Sequence, residues 1–163
     1  MSNGVRFTLI GAAIAALVCG LVVWNQWHAH FELQGRIMKV RTQKSTDTDT
    51  LIVVDARLIN PSEYPFTIRE IVPSITTMTG EKIDGTMVAG VDAEQVFQAY
   101  PSLGQKFNDA LKFRDTIAPG QKTDRTIVVT FSAPFEQIDQ RKNLTLRLEE
   151  SRGAVAEFVE RAK

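Results

Sequence analysis

The spacing of apolar and polar positions divides the chain into two unlike parts. From Phe7 to Trp24 ("FTLIGAAIAALVCGLVVW") apolar residues run on without a charge, and the uncharged stretch extends from Arg6 as far as Glu32. From Phe31 onward, short alternations separated by turn residues take over, which predicts strands. "FELQGRIMKVR" alternates imperfectly, with Phe31, Leu33, Ile37 and Met38 among polar neighbours. Thr50–Ile59 alternates well: Ile52, Val54, Ala56 and Leu58 share one face, and Asp55 and Arg57 share the other. That predicts a strand with one buried and one wet face.

The next segment stops and restarts this pattern. In "NPSEYP" Asn60 can bond its own backbone two residues on, Pro61 sets φ for a corner, and Pro65 removes a donor before the next strand. Phe66, Ile68, Ile71, Val72 and Ile75 continue, and their change of phase predicts a bulge near Arg69-Glu70. Pro73 predicts an edge or a local irregularity. "TGEKIDG" predicts a turn and a short strand over 83–88. Between Asp92 and Lys112 the period becomes helical: Asp92 with Gln95 reads as a capping box, and Val96, Phe97, Tyr100, Leu103, Phe107 and Leu111 recur at helical steps. Pro101 and Gly104 divide this insert into two short helices, about 92–99 and 102–112, whose aromatic bulk must be covered by the sandwich, the expected use, or by a partner. Strands resume with "FRDTI", a Pro119-Gly120 turn and "RTIVVTF". One helical turn follows Ser132, then comes a strand through Leu144, Leu146 and Leu148, and Ala154–Val159 is a last strand or a short helix.

The uncharged stretch is long enough to cross a bilayer as a helix, which takes roughly 17–25 residues. Trp24 and Trp27 at its end suit an aromatic belt, with His28 and His30 beside them at the membrane interface. No small-residue cleavage site follows, so an uncleaved anchor is expected rather than a removed signal peptide. Ala12, Ala16 and Gly20 repeat at four-residue steps beside Gly11, Ala15 and Cys19, giving a smooth face on which another helix can pack in lipid. Basic residues after the anchor favour a cytoplasmic domain by simple count. The short tail with Arg6, and the ease with which long domains translocate, favour an extracytoplasmic, periplasmic one, which is the expectation adopted.

Arg36, Lys39, Arg41 and Lys44 lie in the acid-free stretch Leu33–Ser45. They read either as contacts to lipid headgroups or an acidic partner, or as cations guarding an edge strand against aggregation. The 163 residues carry 19 basic and 19 acidic side chains, so no net field draws nucleic acid, which is not an expected partner. A single cysteine excludes an internal disulfide. His28 and His30 alternate on one face, yet no third soft ligand exists to complete a zinc site. Asp47 and Asp49 form only a fragment of a calcium loop. No phosphate-cradling glycine pattern or nucleophile motif is present, so no cofactor, metal or catalytic residue is expected and the chain does not read as an enzyme.

The stretches "VVDARLINPSEYPFTI", "SITTMTGEKIDG" and "IAPGQKTDRTIVVTF" resemble the late-embryogenesis-abundant type 2 proteins and their water-stress-hypersensitivity domain, and also small membrane-anchored bacterial domains of immunoglobulin-like build. The resemblance implies a fold and no shared catalytic site; the insert at 92–112 departs from it. The expectation is therefore a mainly β, immunoglobulin-like antiparallel β-sandwich over 31–163 with a short helical insert, preceded by a transmembrane anchor and juxtamembrane segment over 1–30. In function this is a non-enzymatic, single-pass accessory or structural subunit of a membrane protein assembly, with the bilayer and other membrane subunits as partners. The alternative is a membrane-tethered stress-protection or apolar-ligand-binding domain, with an apolar or lipid-like molecule held between insert and sheet.

Overall fold

A computed structural model describes residues 11–12, 14–21 and 32–161. The chain divides into two units, Met1–Phe31 and Glu32–Lys163. In the first, residues 11–12 and 14–21 are helical and form α1. Among the described residues no helix is long and apolar enough to cross a membrane. Trp24, Trp27, His28 and His30, and most of the expected anchor, lie outside the described residues.

The second unit is a two-sheet antiparallel β-sandwich. Sheet one orders as β1 (Gln34–Lys44), β2 (Thr50–Ile59), β7 (Lys122–Phe131) and β5 (Thr86–Met87). Sheet two orders as β4 (Lys82–Asp84), β3 (Phe66–Thr76), β8 (Asn143–Glu150) and β9 (Val155–Arg161), with β6 (Thr116–Ile117) paired to the start of β3. Ile52, Val54, Ala56, Leu58, Ile127, Val129 and Phe131 from sheet one meet Phe66, Ile68, Ile71, Ile75, Leu144, Leu146, Leu148 and Phe158 from sheet two in one closed core. Those residues sit at alternate positions because successive side chains of a strand point to opposite faces. Ile138 of the short helix α3 (Phe135–Asp139) plugs the same core.

Departures from strict alternation have local causes. The β1–β2 register shifts between Ile37 and Lys39, so Met38 is the extra residue that spoils the pattern of "GRIMKVR". The β3–β8 register shifts between Ile68 and Glu70, where the phase change in the sequence places a bulge. Pro73 sits where the ladder to β4 ends: its carbonyl accepts from the Gly85 amide at 2.9 Å, and pairing with β4 covers only Ser74–Thr76. The expected strand over 83–88 is in fact two, because the chain leaves sheet two after β4 and joins sheet one as β5. The crossing point is Gly85, where a Cβ would lie 2.6 Å from the Phe131 ring.

The "NPSEYP" reversal closes around Asn60, which is fully buried. Its Oδ1 accepts from the Ser62 amide at 3.1 Å, and its Nδ2 donates to the carbonyls of Tyr64 and Ile117. Its backbone also bonds Gln121 and Gly120, so the loop after β2 is tied to the Pro119-Gly120 turn before β7.

Three expectations are corrected. The second insert helix is a single 3-10 turn, Pro101–Leu103. Gly104 leaves helical space at φ 74°, and residues 109–111 then lie along β7, with Leu111 donating to the Thr126 carbonyl and Thr126 to that of Asp109. Asp92 does precede helix α2 (Ala93–Ala99), but its side chain makes no capping bond. The outer face of β2 is likewise not wet throughout: Leu51, Val53 and Asp55 are buried, because the insert lies over them.

Candidate functional site

In α1, Gly11, Ala12, Ala15, Ala16, Cys19 and Gly20 are helical and exposed. At 3.6 residues per turn they fall on one side of the helix, and Ile14, Leu17, Val18 and Leu21 fall on the other. Those four large side chains are 52–64% exposed. A helix that is apolar on every side is stable only when lipid or protein covers it.

In the sandwich, sheet one's outer face has two halves. The half towards the start of β2 is covered by the insert, whose Ala93, Leu103 and Ala110, with Val96, Phe97 and Tyr100 beside them, pack on Leu51, Val53 and Val128. Arg41 fastens this cover. Its side chain is 10% exposed and its guanidinium contacts the Asp55 carboxylate at 2.8 Å. It also donates to the carbonyls of Leu103 and Gln105, and lies 5.2 and 5.5 Å from the ring centres of Phe97 and Phe107. Asp55 is held from the other side by the Thr126 hydroxyl at 2.6 Å. Burial of a charged pair is tolerated when both ions are hydrogen bonded as well as paired. The expectation that Arg41 meets headgroups or a partner is therefore corrected: it is spent inside the domain.

The other three basic residues of that stretch remain at the surface and separate from one another. Lys44 pairs with Asp47 at 2.6 Å, three residues on. Lys39 stands 5.4 Å from the Phe107 ring centre, a ring 62% exposed. Arg36 lies in the second, uncovered half of the face. There it stands opposite Arg57 in the β1–β2 register, and Arg57 stands opposite Asp124. Arg57 grips Asp124 through two bonds, Nε to Oδ1 at 2.7 Å and Nη2 to Oδ2 at 2.8 Å. The Arg57 bond holds the Asp124 carboxyl below its ordinary range, with smaller help from the charges of Lys122 and Arg36. Arg57 and Lys122 carry no local sequence signal linking them to Arg36; only strand register reveals it.

Two further hollows open at the surface. One, about 560 Å³, mixes Lys106, Lys112 and Arg125 with Glu94, Asp109 and Asp115 beside the insert. The other, about 290 Å³, lies where the chain crosses between sheets and is bounded by Ile71, Gly85, Met87 and the half-exposed Phe113. Among the described residues no three His, Cys, Asp or Glu side chains group as metal ligands would.

The class that these observations define is an antiparallel β-sandwich whose one sheet carries a helical cover. No protein-family model matches the chain, and no curated protein matches it. Among solved structures it is similar to an uncharacterized β-sandwich protein from Clostridium difficile 630, at 10% identity and a TM-score of 0.44, covering 81% of this chain and 86% of that one. It is also similar to the archaellum periplasmic stator protein complex FlaF and FlaG from Sulfolobus acidocaldarius, at 12% identity and a TM-score of 0.36, covering 78% and 88%. At such values the sandwich assignment rests on the strand pairing above, not on these likenesses.

Proposed function

We propose that the protein is a non-enzymatic, single-pass membrane protein that serves as an accessory or structural subunit of a membrane assembly, its sandwich lying outside the cytoplasm. The observation that carries this reading is α1. Small residues line one side, Ile14, Leu17, Val18 and Leu21 stand uncovered on the other, and the uncharged sequence runs on in both directions. Lipid suits the large side chains, and the small side suits a neighbouring helix that must approach closely. In the sandwich, the Arg41–Asp55 pair is engaged in holding the insert.

The rival reading, a tethered domain of the late-embryogenesis-abundant type binding an apolar ligand under the insert, meets a packing objection. Leu51, Val53, Val128, Leu103 and Ala110 already fill the space between insert and sheet. The deciding experiment is extraction of the native membrane in mild detergent, followed by native gel separation and mass spectrometry. Comigration with larger partners in fixed ratio is expected. Migration as a monomer would overturn the subunit reading.

A further inference from the structure

The uncovered half of sheet one's outer face gathers cations that lie far apart in the sequence. Arg36 stands opposite Arg57, and Lys122 stands opposite Ile59, one step further along the same face. Like charges directly across two strands oppose pairing. Asp124 relieves only one of them, since both its oxygens are taken by Arg57. Among the described residues Arg36 and Lys122 have no acidic partner at ion-pair distance; the Arg36 Nε bonds the Met38 sulfur. Between them lies a shallow hollow of about 300 Å³, lined by Gln34, Gly35, Arg36, Arg57, Ile59 and Lys122, with no carboxylate in its wall. Of the neighbouring acids, Asp124 is already paired with Arg57, and Glu32 accepts a bond from Gln34. Arg36 and Lys122 are thereby left free to take a negative partner from outside the domain.

The partner's identity follows from where the patch sits. It occupies the end of the sheet at which β1 begins, and only Glu32 and Leu33 separate Gln34 from the last residue of the uncharged run. Resting on the anchor reading above, we infer that Arg36 and Lys122, flanking the Arg57–Asp124 pair, form a seat for anionic lipid headgroups of the bilayer that holds the N-terminal helix. Tethering keeps the patch near that surface at high effective concentration. Each basic residue near an anionic leaflet then favours the docked state about fivefold.

The test uses the full chain in nanodiscs of neutral phosphatidylcholine, and in nanodiscs with about a third phosphatidylglycerol. Amide deuterium exchange is followed over 34–37, 60–65 and 118–122. Expected is exchange slower by at least about threefold in the anionic discs, lost near 0.5 M salt, where screening shortens to roughly 4 Å. The double variant Arg36→Gln, Lys122→Gln should lose the protection while keeping the Arg57–Asp124 pair and without lowering the melting temperature, since it removes a like-charge pair across two strands. Equal exchange in both discs would overturn the inference. So would protection in neutral discs on adding inorganic phosphate, which would assign the patch to a soluble anion. Alkaline carbonate extraction of the native membrane separates the two readings: release of the chain would overturn the anchor and this inference with it, whereas retention with equal exchange would overturn the patch alone.

Discussion

Arg41 shows how one side chain can be misread from its neighbours and then carry much of the local architecture. In sequence it belongs with Arg36, Lys39 and Lys44; in the fold it is the bolt between insert and sheet. Arg41→Ala is expected to destabilise the domain by about 3–5 kcal/mol, because Asp55 would remain buried without its cation. Replacing both as Arg41→Met with Asp55→Leu should recover most of that loss; urea unfolding midpoints of the detergent-solubilised chain check both. The Arg57–Asp124 pair predicts a pH effect. The Asp124 carboxyl is held below its ordinary value in the folded state, so its contribution is present above the unfolded value, about pH 4. It is lost as pH falls through the lower folded value. Asp124→Asn should therefore lower the melting temperature at neutral pH and change it little in strong acid. At this scale the sequence was legible where chemistry is local. Asn60 does bond the amide two residues on, as its place before Pro61 implies. Its bond to the Ile117 carbonyl, and the engagement of Arg41 with Leu103, join residues more than 50 positions apart, and no local pattern encodes them.

Strands were readable from period, including one of their faults. The phase change between Ile68 and Ile71 marks the bulge in β3, whereas in β1 the sequence shows only an imperfect alternation and the register alone places the extra residue at Met38. What period cannot convey is how closely elements approach. Gly35 looks like any strand glycine, yet a Cβ there would lie 2.5 Å from the Arg57 carbonyl oxygen and 3.0 Å from the Phe158 ring. Because one neighbour is backbone, Gly35→Ala is expected to cost about 1–3 kcal/mol, seen as a lowered melting temperature. The insert tests the same limit differently. Helical spacing continued through Leu103, Phe107 and Leu111, but backbone pairing of residues 109–111 with Thr126 displaced the second helix. Tertiary hydrogen bonds outweigh propensity in so short a segment. Leu103→Ala, emptying a buried site beneath the insert, is expected to cost about 2–4 kcal/mol. It should first appear as faster proteolysis within 90–110, since local opening precedes global unfolding.

For the molecule as a whole, the outstanding demand is cover for α1. If the small-residue side meets a partner helix, Ala16→Leu with Gly20→Leu should release the chain from a large complex on native gels. If α1 also lies in the bilayer as proposed, resistance to alkaline extraction should be unchanged, because added leucines only improve its fit to lipid. By itself the sequence determined the division into an uncharged N-terminal run and a strand-rich remainder, the turns at Asn60 and Pro119-Gly120, and the inward residues of β2, β7 and β8. These follow from side-chain period and from the local chemistry of proline, glycine and asparagine. Only the tertiary structure decided that β4 and β5 belong to different sheets, that the insert lies on Leu51, Val53 and Val128, and that Arg36 meets Arg57 and Lys122 while Arg41 is withdrawn. Period tells which way a side chain points along its own strand. Which strand, cover or charge it then faces depends on register and crossover between distant segments, and those are chosen by the packing of the whole core.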